Sequence, residues 1–262
     1  MLMNGKKRNP GTISPEVSDI KYIITNKNDK IQKMLLDGRQ WNNHIVETII
    51  NYIENNELSH FLNVGSHIGS VCLPISKYIE KVTAVEAFPP IFRHLCDNIK
   101  LNQLSNVIAY NIALGNSDED VYFMSMKKIC PVEKTNRLLN NTGGMHVFTQ
   151  KDIDNNIRSA NLADKGIKNR VVRLDDTPID DFDILLVDIE GFEYDFLLGA
   201  EEKIKKNKPI IIIEIWNNQK RQRENMPQSQ EDVANYIFSL GYSLVDYMGD
   251  DFVFEPLPPL TE

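Results

Sequence analysis

Three acidic residues crowd together just after an aliphatic run in "LLVDIEGFEYDFLLGAEE", residues 185–202. A carboxylate at the tip of a buried strand is costly unless a partner or ligand requires it. Along an extended segment Asp188 and Glu190 fall on one side and Ile189 on the other, so the pair would share a corner. Glu193 falls in the first turn of the following helix, where a negative charge suits the dipole. A further acid, Glu214 in "IIIIEIW", ends the next strand, two positions before Trp216. Acids on adjacent strand tips could take a proton from a hydroxyl, or hold a divalent metal that binds acceptor oxygens. No metal ligands are assigned.

Other chemistry-bearing residues also follow strands. In "LNVGSHIGS", Gly65 and Gly69 separate a buried strand from a helix, where missing side chains let a ligand reach the backbone and helix N-terminus. A tight turn without a ligand also wants glycine, and His67 within it reads as a loop residue rather than a catalyst. Glu86 ends "VTAVE" about 20 residues further on, where a carboxylate can accept both hydroxyls of a ribose. Asn111, with Ile112 and Ala113, leaves a third strand and could offer an amide and small apolar surface to an adenine. The dinucleotide pattern G-x-G-x-x-G is absent: here the spacing is G-x-x-x-G, without the middle glycine that approaches a pyrophosphate. S-adenosylmethionine, an adenosine with free ribose hydroxyls and an amino-acid tail, fits better than a nicotinamide dinucleotide.

The elements that must position these residues alternate between strand and helix. Strands are expected in "HFLNVG", "KVTAVEA", "NVIAYNIALG", "NRVVRLDD", "FDILLVDIEG" and "KPIIIIEIW". Helices are expected in "SVCLPISKYI", "PPIFRHLCDNIKLN", "FEYDFLLGAEEKIKK" and "QEDVANYIFSLGY". "VYFMSM" reads as a strand outside the parallel run. "SLVDYMGDDFVFEP" reads as a terminal hairpin over a Gly-Asp turn. The implied fold is α/β, a mostly parallel sheet with a C-terminal antiparallel hairpin and helices on both faces. Such sheets bind ligands at the carboxyl ends of their strands.

Residues 1–18 read as a disordered polar tail. In residues 19–58, "IKYIITNKNDKIQKMLL" reads as two short strands around a turn, followed by the helix "WNNHIVETIINYIENNE" capped by Asn42 or Asn43. Residues 59–262 form the main domain, with a substrate or lid insertion at about 127–168. No internal repeat or heptad is present.

The 262 residues suffice for one large core, and a net charge of −8 argues against a broad electrostatic grip on nucleic acid. "KIKKNK" and "QKRQR" read as solvated surface. Three widely spaced cysteines suggest neither a disulfide frame nor a zinc site. With no apolar segment long enough to span a bilayer and no signal-peptide pattern, a cytoplasmic protein without membrane contact is expected.

"FLNVGSHIGSVCLPISK", "VTAVEAFPPIFRHLCDNIKLN", "IALGNSDEDVYF", "VVRLDD", "ILLVDIEGFEYDFLLGAEE" and "KPIIIIEIW" resemble, in sequence and order, the FkbM family of S-adenosylmethionine-dependent methyltransferases. The likeness covers about residues 38–255, and D-x-E-G-x-E followed by L-x-G-A is its most specific mark. It implies a class I methyltransferase (Rossmann-like) fold with a mostly parallel seven-stranded sheet, and O-methyl transfer to a sugar, glycan or other small molecule. By position, Gly65 and Gly69 would line the donor's methionine part and Glu86 its ribose. Asn63, Ser66, His67, Ile68, Ala87, Asn111, Ile112, Ala113 and Asp188 would also bind the donor. Asp188 and Glu190 would lie near the transferring methyl, with His146 in the insertion a third candidate base. Two departures stand out: Leu186 where such proteins commonly carry lysine, and Asn63 where they commonly carry aspartate. The rival readings are an RNA or cap ribose 2′-O-methyltransferase and a methyltransferase-like binding module without turnover.

Overall fold

The computed structural model describes residues 11–124, 146–149, 167–224 and 226–258. The chain opens with a two-stranded hairpin, β1 (Thr12–Ile13) against β2 (Ile23–Ile24), then helices α1 (Lys30–Leu36) and α2 (Asn43–Asn55). β3 (His60–Val64), α3 (Cys72–Ile75), β4 (Lys81–Val85), α4 (Pro89–Leu101) and β5 (Val107–Tyr110) follow. Four short strands come next: β6 (Ala113–Leu114), β7 (Glu119–Met124), β8 (His146–Thr149) and β9 (Ile167–Val172). The second half runs β10 (Ile184–Val187), α5 (Glu193–Gly199), α6 (Glu201–Asn207), β11 (Ile210–Glu214), α7 (Asn218–Arg223) and α8 (Gln230–Ser239). A final hairpin, β12 (Tyr242–Met248) and β13 (Asp251–Pro256), closes the described chain.

The main sheet has seven strands in the order β12-β13-β11-β10-β3-β4-β5. Five are parallel and the terminal hairpin is antiparallel, as the sequence led us to expect. Alternation along the strands fills both faces. Ile184, Leu186, Ile212 and Val253 pack toward α2, α3 and α4, whereas Leu185, Val187, Ile211 and Ile213 pack toward α5 and α8. Strand order reverses between β3 and β10, so their carboxyl ends open onto the crevice where such sheets hold ligands.

Four expectations are corrected. "KIQKMLL" is helix α1, not a strand: Asp29 accepts the Gln32 amide at 3.0 Å as N-cap, and Ile31 and Leu35 bury one face at i, i+4 spacing. The partner of β2 comes instead from the supposed tail, Thr12 and Ile13. "NVIAYNIALG" is two strands, because the chain leaves the main sheet at Asn111 and Ile112 and β6 joins a second sheet, β6-β9-β7-β8. "FEYDFLLGAEEKIKK" is two helices that break at Ala200, whose φ is −120°. At α2, Asn42 holds the N-cap position in a left-handed conformation and makes no capping bond. Most of the 127–168 insertion lies outside the described residues. Within it, β8 pairs antiparallel with β7, which also pairs antiparallel with β9. Among the described residues no helix is long and apolar enough to cross a membrane.

The second sheet meets helix α5 through a glycine contact: a Cβ on Gly199 of α5 would lie 1.8 Å from the carbonyl oxygen of Gly115, the residue after β6. Gly199→Ala is therefore expected to cost at least about 1–3 kcal/mol, as overpacking does. Urea unfolding of the purified variant, compared with the parent, measures that loss.

Candidate active site

β3 ends in a glycine turn that the backbone itself organises. Gly65, His67 and Gly69 all have positive φ, and the Gly65 and Ser66 amides both donate to the Val85 carbonyl at 2.9 Å. Glu86, at the tip of β4, accepts the His67 amide at 2.9 Å on one oxygen and the Phe88 amide at 2.7 Å on the other. Burial pushes its carboxyl up to about 7 despite these two bonds. The group expected to receive a ribose thus also closes the glycine turn, and each oxygen keeps a lone pair for a ligand. His67 is a loop residue, as expected, in the turn after β3, and burial drives its imidazole down to about 4, so it is neutral near pH 7.

The other donor-site candidates divide. Ser66 is buried and its hydroxyl donates to the Asn63 carbonyl at 2.9 Å, while Ile68 is fully buried. The Asn111 amide donates to the carbonyls of Glu86 at 2.8 Å and Ala87 at 3.2 Å, tying the β4 and β5 exits together. Asn169 of β9 also donates to the Ala87 carbonyl, at 2.5 Å. Ala113 does not offer the surface expected of it: it is 3% exposed, packed with Val121 and Val171 of the second sheet. Ile112 packs half-buried against the α5 face of the main sheet.

Beside the glycine turn, the Asp188 amide donates to the Val64 carbonyl at 3.0 Å, continuing the β3–β10 pairing. The expected extended alternation stops there, since Glu190 and Gly191 have φ of 55° and 102°. The acids meet through that left-handed turn: Asp188, Glu190 and Glu214 each place a carboxylate oxygen within 4.8 Å of the others. Burial, then Glu214 and Glu190, raise Asp188 well above the carboxylate range, and burial with Glu214 raises Glu190 to about 8. Glu214 is raised by burial too, although Trp216 Nε1 donates to it at 2.7 Å. These three acids are the residues that could hold a hard divalent cation, for which oxygen is the right donor.

Two cations near the acids come from "QKRQR", read from the sequence as solvated surface. Asn217 caps α7 by accepting the Lys220 amide at 3.0 Å. Lys220 Nζ lies 3.6 Å from the Trp216 ring centroid, and its charge opposes the rise at Glu190 and Glu214. Arg221 is 2% exposed, its Nη1 3.6 Å from Glu193 Oε2. Glu193 is fully buried, accepts the Gly191 amide at 2.7 Å and is pushed by burial to about 7. The helix dipole alone therefore does not explain Glu193. It braces the Glu190–Gly191 turn and pairs with Arg221. An asparagine cap directly after the acid-bearing strand was the available signal for α7.

A small pocket of about 30 Å³ lies beside the glycine turn, with Asp188 of the three acids in its lining. Trp41 and Asn42 from the start of α2 cover it, and Asn63, Gly65, Asp188 and Asp251 line it. The glycine turn and the surplus of carboxylates suit a cationic ligand with an amino-acid tail, so the residues present fit S-adenosylmethionine. His146, expected as a third base, lies in β8, and its side chain is outside the described part of the structure.

This sheet order, with its antiparallel final hairpin, glycine turn after β3 and acid after β4, is the class I methyltransferase fold. Within that class the chain belongs to the FkbM methyltransferases: the family described as "Methyltransferase FkbM domain" matches residues 63–244. A 23S rRNA (uracil(1939)-C(5))-methyltransferase of Vibrio cholerae is 33% identical over 84 residues, 32% of this chain and 18% of that protein. A tRNA(Phe) (4-demethylwyosine(37)-C(7)) aminocarboxypropyltransferase of Methanocaldococcus jannaschii is 34% identical over 91 residues, 34% of this chain and 36% of that protein. The chain thus spans well under half the length of these curated relatives. Among solved structures, an FkbM methyltransferase from Methylobacillus flagellatus aligns with TM-score 0.48 and 16% identity, over 76% of this chain and 44% of that one. M. jannaschii TYW2, solved in complex with AdoMet, aligns with TM-score 0.39 and 16% identity, over 98% of this chain and 90% of that one.

The raised acids carry a consequence for stability. As pH rises from about 7 through about 8, the folded chain keeps a proton at Glu190 that the unfolded chain has lost, and Asp188 is raised in the same direction, so stability falls. The buried histidines His60, His67 and His94 are all lowered from 6.5 and are neutral in both states there, so they do not offset the trend. The thermal midpoint of the unliganded protein is expected to drop across this range, and less steeply in Glu190→Gln. Calorimetric scans at several pH values check both slopes.

Proposed function

We propose that this chain is an S-adenosylmethionine-dependent O-methyltransferase whose acceptor is a hydroxyl of a sugar, a glycan or another small molecule. The observation that carries this reading is the juxtaposition of three crowded acids, from two adjacent strand tips, with the glycine turn at the point where strand order reverses. Asn63, Gly65, Ser66 and His67 would hold the donor's amino-acid part. Glu86 and Ala87 would hold the ribose, and Asn111 and Ile112 the adenine edge. S-adenosylmethionine, when bound, supplies a methyl group on a positively charged sulfur.

The chain's own part is to align an acceptor oxygen at about 3 Å from its target and to take the hydroxyl proton. Three carboxyl groups this close cannot all ionise near neutrality, so they retain protons between them. An ionised member can accept the acceptor's proton while its neighbours donate hydrogen bonds to hold the oxygen. Asp188 is the first choice for that base because it adjoins Gly65, with Glu190 second and His146 third. Lys220 over Trp216 favours the ionised form of Glu190 and Glu214, and a bound sulfonium would favour that of Asp188.

The rRNA- and tRNA-modifying relatives make RNA the natural competing acceptor. A net charge of −8 and an acid-rich site mouth repel phosphodiesters, which favours the neutral acceptor. S-adenosylhomocysteine release over a panel of glycans, small alcohols and RNA decides between them, and no release with any acceptor would leave the binding-module reading. With the acceptor that turns over, Asp188→Asn is expected to lower kcat by about 10²–10⁴-fold, the usual contribution of a positioned base. Its circular dichroism and melting should stay folded. Turnover within about twofold of the parent would remove Asp188 from the chemistry.

A further inference from the structure

The residue two before the first glycine is Asn63, buried at 2% exposure and uncharged, where an acid would have been expected to hold the donor's ammonium. The same pocket receives a carboxylate from elsewhere. Asp251 begins β13, pairs in register with Glu214 of β11, and lines the pocket together with Asn63, Gly65 and Asp188. His44 Nε2 of α2 lies 2.9 Å from Asp251 Oδ2. Among the described residues no hydrogen bond reaches the other oxygen, Oδ1. The carboxylate is thus oriented by one contact and keeps an acceptor oxygen beside the pocket.

What it would accept follows from the surrounding charge. Asp188, Glu190, Glu214 and Asp250 are the acids near this corner, and His44 is the basic group bonded to Asp251. Burial raises Asp251, with His44 opposing the rise. A neutral hydroxyl could also donate to that oxygen, whereas an ammonium brings both N–H donors and the opposite charge. A sulfonium brings charge but no donor, so it does not satisfy Oδ1.

We propose that Asp251 is the anchor for the α-ammonium of S-adenosylmethionine, accepting it on Oδ1 and replacing the charge that Asn63 lacks. This rests on the donor site described above. It makes the C-terminal hairpin part of the donor site, with His44 of α2 as a positioning residue that fixes the carboxylate's rotamer.

Calorimetry with two probes tests it. S-adenosylhomocysteine carries the amino-acid tail, and 5′-methylthioadenosine lacks it. Asp251→Asn, close to isosteric, should weaken S-adenosylhomocysteine by roughly 10- to 100-fold, the worth of a hydrogen bond to a charged group, and 5′-methylthioadenosine by less than about twofold. Adding Asn63→Asp to that variant should recover most of the loss by returning an acid to the same pocket. His44→Ala should cost only a few-fold, because the carboxylate remains. An unchanged S-adenosylhomocysteine affinity in Asp251→Asn would overturn the assignment, as would an equal loss for both probes, which would mean general damage to the pocket. If the parent protein binds neither S-adenosylmethionine nor S-adenosylhomocysteine, the donor reading itself falls. If it binds both and Asp251→Asn is unaffected, only the role of Asp251 falls.

Discussion

Everything at the functional end of this protein depends on how closely β3 and β10 approach where they leave the sheet. A Cβ on Gly65 would lie 1.8 Å from the Asp188 carbonyl oxygen, and Gly65 itself has a φ of 87°. No other residue satisfies both the contact and the conformation. That approach lets the glycine turn and the acid turn share one corner, the corner where strand order reverses. A donor held by one turn and an acceptor oriented by the other would then meet without either strand bending.

The second constraint is electrostatic. The site gathers Asp188, Glu190, Glu193, Glu214 and Asp251 in or beside a buried region, and burial raises every one of them. The fold offsets this crowding from two helices. Arg221 reaches Glu193 from α7, Lys220 on the same helix lies over Trp216, and His44 reaches Asp251 from α2. None of the three basic groups belongs to the strands that carry the acids. The unliganded site is consequently short of positive charge, the property a cationic donor would correct.

The second sheet and the main sheet are coupled at the same corner. Phe192 follows the acid turn and packs on Ala113, Val121 and Val171, while Asn169 of β9 bonds the Ala87 carbonyl at the β4 exit. The turn that carries Glu190 is therefore braced from above by β6 and β9 and from below by the Glu193–Arg221 pair. This explains why a segment with two left-handed residues in succession holds one geometry.

Much of this was legible in the sequence, because some signals are local. The buried aliphatic runs specify parallel strands, the Gly-Asp turn specifies the last hairpin, and the glycine spacing separates this site from a dinucleotide site. The acids at Glu86, Asp188, Glu190 and Glu214 announce themselves as charges ending apolar strands. Other features were hidden because their meaning is a distance across the sheet. "KIQKMLL" carries an i, i+4 apolar pair and an aspartate cap, yet its neighbours' β-branched residues pulled the reading toward a strand. "QKRQR" looks like any solvated basic run until α7 places Arg221 under Glu193. Asp251 reads as the start of a hairpin strand, and only its register opposite Glu214 brings it to the pocket of Asn63. Local patterning, which depends on near neighbours and on the period of a strand or helix, determined the sheet and the acids at its tips. The tertiary structure decided which charges those acids face, since partners tens to hundreds of residues away are set by packing rather than by spacing.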